Sequence, residues 1–249
     1  VIALFLGFYS CNNQFSFTET DHGVKIELSD KLLNIQFYAP DVVRVYSSLS
    51  EEMNQKKSLV VVSDPDKVYF DINDREDELI LTTDSLSLTV KKRSGNIYFR
   101  DSGNNLLLRE KSRSFEPDTV IGEKTHHIAQ NFTLDEKEAI YGLGQHQHGY
   151  MNLRGKEVEL FQDNKKAVSP VLVSQKGYGI LWDNYSYTTY SNDSTHMRLW
   201  SEVGDGIDYY FMGGDNLDQV ISGYRHLSGK ATLYGKWAYG FFQSKEHYH

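Results

Sequence analysis

Apolar and polar residues alternate along most of the chain. Residues 24–28, 33–38, 42–46 and 86–90 largely place an apolar side chain at every second position. Successive side chains of a strand point to opposite faces, so this pattern predicts half-buried β-strands. Asp, Asn, Gly and Ser residues separate the segments, and short strands at this spacing indicate antiparallel sheets packed as a β-sandwich. The predicted fold class is therefore all-β.

A hairpin and one helix interrupt this pattern. Gly95 and Asn96 lie between two apolar segments, and Gly accepts the positive φ that tight turns require. Near the end, apolar residues recur at helical spacing, with Asp215 before them as the predicted N-cap and Gly229 after them as the predicted C-cap. These apolar residues are Leu217, Val220, Ile221, Tyr224 and Leu227.

The last part of the chain changes in character. Residues 236–245 form a nearly continuous apolar run that ends in polar residues, which is typical of a strand buried on both faces. We therefore expect a second domain to begin here, cut short by the end of the sequence. The predicted domains are residues 12–229 as the sandwich and 230–249 as the start of the second domain.

The first eleven residues have the features of a processed leader. Residues 1–9 are an apolar run too short to span a bilayer, and the small residue Ser10 precedes Cys11, the only cysteine. This resembles the end of a signal peptide and a bacterial lipoprotein cleavage site, with Cys11 carrying the lipid; a buried cysteine is the alternative. The predicted location is the bacterial cell envelope, with the membrane as a partner through the lipid. A lone cysteine excludes an intramolecular disulfide.

Composition narrows the range of ligands. The formal charge of −8 and the absence of a basic stripe argue against nucleic acid as a partner. Neutral ligands such as sugars stay open. The 17 Tyr and 13 Phe residues suit a strand-rich core and could also stack on sugar rings.

Three stretches, in this order, resemble glycoside hydrolase family 31, which includes α-glucosidases and α-xylosidases. The first is YGLGQH at 141–146, continued by NLRGK at 152–156. The second is PVLVSQKGYGILWDN at 170–184. The third is YFMGGD at 210–215, followed by the helix and by WAYGFFQSK at 237–245. Each stretch alone is weak evidence, but their order and spacing together are specific.

The resemblance implies a galactose-mutarotase-like β-sandwich followed by a (β/α)8 catalytic barrel, so that residues 230–249 would be the start of that barrel. It also implies retaining hydrolysis of oligosaccharides by two carboxylates roughly 5 Å apart. In the family both lie on later barrel strands, so no residue of this chain is assigned to catalysis, and Asp183 and Glu159 match structural segments. Gln243, Ser244 and Lys245 would lie near the active end of the barrel, as ligand contacts or as barrel structure.

The same resemblance aligns residues 159–164 with a loop that reaches the sugar site from the sandwich. It implies that Gln162 and Asn164 contact sugar hydroxyls, with Asp163 between them and Phe161 as a support or a stacking platform. An amide offers both a donor and an acceptor, as a hydroxyl requires. Asn164 stands where α-glucosidases often carry an aspartate, which favours xylosidase-like specificity. A solvated turn is the structural alternative.

Two histidine groups are candidate metal ligands: His126 with His127, and His146 with His148. No third ligand is placed by the sequence, so we predict no metal site and no cofactor. A stand-alone carbohydrate-binding sandwich and a sugar mutarotase, with a histidine and a carboxylate as acid and base, are the alternative functions.

The lipidation hypothesis predicts that Cys11→Ala in the precursor releases the protein into the soluble fraction. The substitution removes the thiol that carries the lipid, and stable anchoring requires those acyl chains. Fractionation and the mass of the N-terminal peptide measure this. Membrane association and peptide mass that are both unaffected by the substitution would contradict it.

Overall fold

Seventeen β-strands, one α-helix and one turn of 3-10 helix make up the part of the chain that the computed structural model describes, residues 15–49 and 57–241. The predictions for Cys11, Gln243, Ser244 and Lys245 lie outside these residues. The strands are β1 (Ser16–Thr20), β2 (Gly23–Glu27), β3 (Leu32–Ala39), β4 (Val42–Ser48), β5 (Asp71–Asp74), β6 (Glu78–Thr82), β7 (Leu86–Lys91), β8 (Ile97–Asp101), β9 (Leu106–Val120), β10 (Glu123–Thr133), β11 (Ile140–Gln145), β12 (Glu157–Leu160), β13 (Ala167–Ser174), β14 (Tyr178–Trp182), β15 (Thr188–Asn192), β16 (His196–Ser201) and β17 (Gly206–Gly213).

The strands form two antiparallel sheets. The first sheet has eight strands in the order β1-β2-β3-β4-β17-β14-β13-β11, and the second has nine in the order β12-β15-β16-β10-β9-β8-β7-β6-β5. The predicted β-sandwich is confirmed. The four alternating segments lie in β2, β3, β4 and β7, and the predicted hairpin joins β7 to β8 with Gly95 at φ +70°.

The two inner faces enclose one apolar core. Phe99 of β8 stacks on Phe211 of β17, with 4.2 Å between ring centroids, so these side chains join the two sheets. Phe132 of β10 meets Tyr209 of β17 edge to face at 5.6 Å. All four are fully buried, so this contact zone is a principal source of the hydrophobic stabilisation of the sandwich.

A buried carboxylate also ties the sheets together. Glu110 of β9 accepts hydrogen bonds from the Tyr209 hydroxyl at 2.7 Å and from the Ile97 amide at 2.6 Å, and it pairs with Arg113. Burial and the nearby Glu110 charge raise the pKa of Tyr209 well above its usual value, so the phenol keeps its donating proton. With both its charge and its oxygens satisfied, Glu110 is tolerated in the core.

Helix α1 (Leu217–Ser228) packs on the outer face of the first sheet. Its buried residues Val220 and Leu227 contact a small second cluster that includes Val42 and Met212. The predicted C-cap is confirmed, since Gly229 has φ +84°. Within the described ranges, no helix is long and apolar enough to cross a membrane.

The predicted N-cap of this helix was wrong by one residue. Asn216, not Asp215, has the extended backbone of a cap, and its side chain accepts a hydrogen bond from the Gln219 amide at 3.0 Å. The Gln219 side chain in turn accepts a hydrogen bond from the Asp215 amide at 2.7 Å. Two free amides are thus satisfied at once, much as in a capping box.

The strand predicted from residue 236 onward is also not observed in the described residues. Lys236–Tyr239 instead forms one turn of 3-10 helix, and the side chain of Trp237 is 80% exposed. A buried strand needs neighbouring strands to satisfy its backbone groups, and no strand of the described ranges pairs with this segment. The assignment of residues 230–249 to a second domain stays a prediction.

Strand β11 contains an irregularity that its glycines make possible. Gly142, Leu143 and Gly144 all have positive φ, and the register with β13 shifts between Gly142 and Gly144. A Cβ atom at Gly144 would lie 2.1 Å from the carbonyl oxygen of Ala167, so only glycine lets the two strands approach this closely.

We expect Gly144→Ala to lower the free energy of unfolding by roughly 2–4 kcal/mol, through backbone strain and the clash with β13. Gly149→Ala is the matched control, because Gly149 also has positive φ but open space around its Cβ position. This control should cost about 1 kcal/mol. Urea denaturation of both variants measures the difference, and equal losses would show that the close approach to β13 has no energetic weight.

Candidate functional site

The candidate site is the loop of residues 161–166, which leads from β12 at the edge of the second sheet to β13 in the first sheet. The four residues predicted as sugar contacts, Phe161, Gln162, Asp163 and Asn164, all lie on it and are all exposed. The loop crosses from one sheet to the other at one end of the sandwich, where it is accessible to a neighbouring molecule or domain.

Gln162 has an internal role in this loop. Its side-chain nitrogen donates to the carbonyl oxygens of Asp163 and Lys166, and its side-chain oxygen accepts from the Val168 amide at 3.0 Å. Both ends of the amide are therefore already engaged. The side chain closes the loop onto the start of β13, and its predicted contact with a sugar stays a prediction.

Charged groups hold the base of the loop. Glu159 accepts a hydrogen bond from the Tyr187 hydroxyl at 2.9 Å and pairs with Lys166 at 3.2 Å, and these partners lower the pKa of Glu159. The Lys165 amide, at 2.8 Å, is the largest cause of the lowered pKa of Asp163, and Lys166 at 3.6 Å adds to it. Both carboxylates therefore act as ionised hydrogen-bond acceptors at neutral pH, and not as proton donors.

Asn164 is a polar side chain of the loop that is free to bind a ligand. Within the described ranges its amide has no hydrogen-bond partner, and it lines an open cleft beside the end of β11. Gln145, His146 and Gln147 form the opposite wall of this cleft. The cleft thus presents three side-chain amides, those of Asn164, Gln145 and Gln147, that have no hydrogen-bond partner in the described ranges, which suits the recognition of hydroxyls.

Phe161 faces the other side of the loop. Its ring is 53% exposed and lies 6.4 Å from the ring of Tyr187, at an angle of 56°. Tyr187 immediately precedes β15 and also binds Glu159, so one tyrosine supports both the apolar and the charged part of the loop. The structure brings Phe161 and Asn164 to opposite sides of the same turn.

The irregular strand β11 positions the cleft wall. Gln145 is paired with Ala167, the first residue of β13, so the end of β11 lies next to the loop. The His146 ring nitrogen Nε2 donates to the carbonyl oxygen of Leu143 at 2.8 Å and closes a tight turn. The glycines of the YGLGQH stretch therefore act on the site indirectly, by shaping the backbone that lines it.

The NLRGK stretch also has a structural role. The Arg154 guanidinium donates to the carbonyl oxygens of Asp135, at 3.0 Å, Glu138, at 2.9 Å, and Ser194. The Asn152 side chain accepts from the Arg154 amide at 3.0 Å. Arg154 thus joins three turns at the edge of the sandwich and does not reach the cleft.

Below these turns lies a second buried carboxylate. Glu138 accepts hydrogen bonds from the Ser174 hydroxyl at 2.6 Å and from the Tyr178 hydroxyl at 2.5 Å. Burial and the Glu138 charge raise the pKa of Tyr178 well above its ordinary value. Glu138 is surrounded by its partners and is closed to substrate, so its role is structural.

The candidate histidines, and the carboxylate of Asp183, each contact different groups and do not form one site. His127 donates to the Glu202 carbonyl at 2.6 Å, and the rings of His146 and His148 stack at 5.2 Å. Asp183 accepts a hydrogen bond from the Tyr185 hydroxyl at 2.7 Å. No group of three or more potential metal ligands occurs in the ranges that the structure describes.

This architecture, two antiparallel sheets joined by a loop beside an open polar cleft, is that of a β-sandwich domain. The family is shown by comparison with known proteins. Residues 32–190 match the glycosyl hydrolase 31 N-terminal galactose mutarotase-like domain, so the chain belongs to that family.

Curated relatives agree with this assignment. The chain is 36% identical over 226 residues to an α-xylosidase of Saccharolobus solfataricus and 27% identical over 253 residues to α-glucosidase 2 of Bacillus thermoamyloliquefaciens. These matches cover 87% and 95% of this chain, but only 31% of each relative. The chain thus corresponds to about a third of the length of these relatives.

Solved structures share the fold. A family 31 α-xylosidase of Xanthomonas citri superposes with a TM-score of 0.84 at 22% identity, covering 92% of this chain and 42% of that one. A family 31 dextranase of Flavobacterium johnsoniae superposes with a TM-score of 0.78 at 22% identity, covering 92% and 29%. At this identity the likeness supports the sandwich architecture alone.

Sequence reasoning missed two members of the loop assembly, Tyr187 and Lys166. Lys166 lies across a turn from its partner Glu159. Tyr187 lies far from Glu159 along the chain, and only the pairing of β12 with β15 brings the two together. Residues 187–190 are Tyr and Thr, which are common in strands, but nothing in their sequence indicates that this strand pairs with β12.

We predict that Gln162→Ala destabilises the loop and lowers the free energy of unfolding by roughly 1–2 kcal/mol, because it removes three hydrogen bonds. Asn164→Ala is the matched control, expected to change stability by less than about 0.5 kcal/mol. Denaturant unfolding and hydrogen exchange of the Val168 amide measure the two effects. If Gln162→Ala leaves exchange at Val168 unchanged, Gln162 does not brace the loop.

Proposed function

We propose that this chain is the N-terminal sandwich of a retaining α-glycosidase that hydrolyses oligosaccharides, of the α-xylosidase or α-glucosidase type. The observation that carries the proposal is the 36% identity to an α-xylosidase over 87% of this chain. Family membership supports a glycosidase context, and Asn164 in place of an aspartate favours the α-xylosidase type.

In this proposal the sandwich binds substrate but performs no bond cleavage. The catalytic carboxylates belong to a barrel domain outside this sequence. This is supported by the carboxylates of the described ranges, since the buried Glu110 and Glu138 are saturated by structural hydrogen bonds. Glu159 and Asp163 have lowered pKa values, whereas the general acid of a glycosidase needs a raised one.

The proposed partner of the sandwich is that barrel. The segment after α1 carries a set of exposed apolar side chains, which is typical of a surface that another domain covers. These residues are Leu233, Tyr234, Trp237, Tyr239 and Phe241, each at least 59% exposed. In this proposal the barrel docks there, and the loop of residues 161–166 contributes Asn164 to the sugar site.

Lipid attachment at Cys11 and a cell-envelope location complete the proposal. They rest on the sequence around Cys11 alone. An anchored glycosidase would act on oligosaccharides that reach the envelope.

The proposal predicts that the 249-residue chain alone hydrolyses neither 4-nitrophenyl α-xyloside nor 4-nitrophenyl α-glucoside, whereas the product of the complete gene does. Asn164→Ala in that product should lower kcat/KM about two- to tenfold without a change in Tm, as the loss of one neutral hydrogen bond requires.

Ser191→Ala is a control for this experiment, because Ser191 lies on β15 away from the cleft. Reproducible turnover by the 249-residue chain would contradict the assignment of catalysis to another domain. Polarimetry of the same chain with fresh α-glucose or α-xylose tests the mutarotase alternative, for which accelerated anomer exchange is the signature. An unchanged kcat/KM for Asn164→Ala would remove Asn164 from the sugar site.

A further inference from the structure

Four aromatic side chains form a continuous row across the outer face of the second sheet. From the loop inward they are Phe161, Tyr187, Trp200 and His127, referred to below as the aromatic row. Ring centroids are 6.4 Å apart from Phe161 to Tyr187, 6.5 Å from Tyr187 to Trp200 and 5.4 Å from Trp200 to His127. The row therefore runs across four adjacent strands or their ends: β12, β15, β16 and β10.

Strand register places these rings on the solvent side. Trp200 is paired with Thr189 on β15 and with Ala129 on β10, while its neighbours Leu199 and Ser201 are fully buried. Tyr187 and His127 lie two residues before Thr189 and Ala129, and so share the outer face. The row is a feature of the sheet and not of one flexible loop.

The surroundings leave the rings accessible. The two residues directly opposite Trp200 are small, so the large side chains that contact the indole from the neighbouring strands are the other rings of the row, His127 and Tyr187. Trp200 itself is partly exposed. Phe161 is 53% exposed and the side chain of His127 is 31% exposed. A ridge of partly exposed rings on an otherwise polar sheet face needs a reason other than core packing, which the opposite face supplies.

The charge around the row selects among ligands. Glu159 binds the Tyr187 hydroxyl; desolvation and this hydrogen bond raise the pKa of Tyr187, and the nearby charges of Glu157 and Glu202 add to the rise. Asp118 lies 3.5 Å from His127. Lys166 is already paired with Glu159. An acidic rim repels anionic polymers and anionic membranes, while its carboxylates accept hydrogen bonds from hydroxyl groups.

From this geometry we propose that the aromatic row is a surface site for neutral oligosaccharides, separate from the catalytic pocket. Pyranose rings carry C–H bonds on one face, whose positive hydrogens match the negative face of an aromatic ring. Their hydroxyls would be bound by Glu159, Tyr187 and Glu202 along the rim. The site extends from Phe161 of the loop away toward His127, so a chain held there is guided to the loop. Its ligand class rests on the proposed glycosidase function.

Indole resonances test this directly, because the chain has three tryptophans in three different environments. Trp182 is buried in the core, Trp237 is 80% exposed beyond α1, and Trp200 lies in the aromatic row. In the ¹⁵N-labelled 249-residue chain, titration with maltoheptaose or a xyloglucan heptasaccharide should shift the indole signal of Trp200 and leave the other two in place. Trp200→Phe and Trp237→Phe assign the signals.

Variants then define the contribution of each ring. Trp200→Ala should weaken oligosaccharide binding about tenfold, and Tyr187→Phe, which keeps the ring but loses the bond to Glu159, about two- to threefold. Tyr69→Ala is the control, because Tyr69 is an exposed aromatic residue just before β5, at the far edge of the same sheet. It should bind like the unsubstituted chain, and an oligogalacturonate should not bind to either protein.

Several outcomes would overturn the proposal. The proposal is refuted if neither oligosaccharide shifts the Trp200 signal. It is also refuted if the shift is confined to Trp237. A Trp200 signal that moves with protein concentration in the absence of sugar would identify the row as an interface between copies of the chain. Circular dichroism of Trp200→Ala verifies folding, and Tyr187→Phe gives an independent readout if that variant does not fold. Hydrolysis by the complete gene product without binding at the row would leave the proposed function intact and refute only this site.

Discussion

The register of the second sheet is the constraint on which the rest of the structure depends. Tyr190, Leu199 and Ile128 point into the core from β15, β16 and β10, and all three are fully buried. A slip of one residue in any of these strands would turn the buried set toward water and the outer set into the core. The hydrophobic core therefore determines which residues face outward, including Trp200 and His127.

Buried polar groups add specificity to this arrangement. Glu110 ties β9 to β17 across the core through Tyr209, and Glu138 ties the turn before β11 to β13 and β14 through Ser174 and Tyr178. Each carboxylate is satisfied only when its partners are in register. Leaving a buried charge without its partner costs roughly 3–5 kcal/mol. These contacts penalise alternative pairings that an all-apolar core would tolerate.

Rigid support explains how an exposed loop can serve as a site. The loop of residues 161–166 buries little apolar surface, yet hydrogen bonds of the Gln162 side chain close it from within. Lys166 pairs with the carboxylates of Glu159 and Asp163, and the irregular strand β11 lies beside the loop. The motifs that carry the family resemblance mostly build this support. Gly144 and Arg154 shape backbone, and neither needs to touch a ligand. Preorganised support of this kind keeps an unengaged side chain such as Asn164 in position for binding.

Much of the fold follows from local patterns that the sequence displays. Period-two alternation predicted the strands, Gly95 the hairpin and Gly229 the end of the helix, because each depends on neighbouring residues alone. The motifs around 141–146 and 170–184 identified the family. The loop predicted over residues 159–164 begins only at Phe161, because residues 159 and 160 belong to β12. Tertiary structure decided what depends on residues distant in sequence. The pairing of Tyr187 with Glu159 and the alignment of Phe161, Tyr187, Trp200 and His127 arise from strand pairing across up to 73 positions. Such pairings depend on the free energy of the whole core, which no local window of sequence contains.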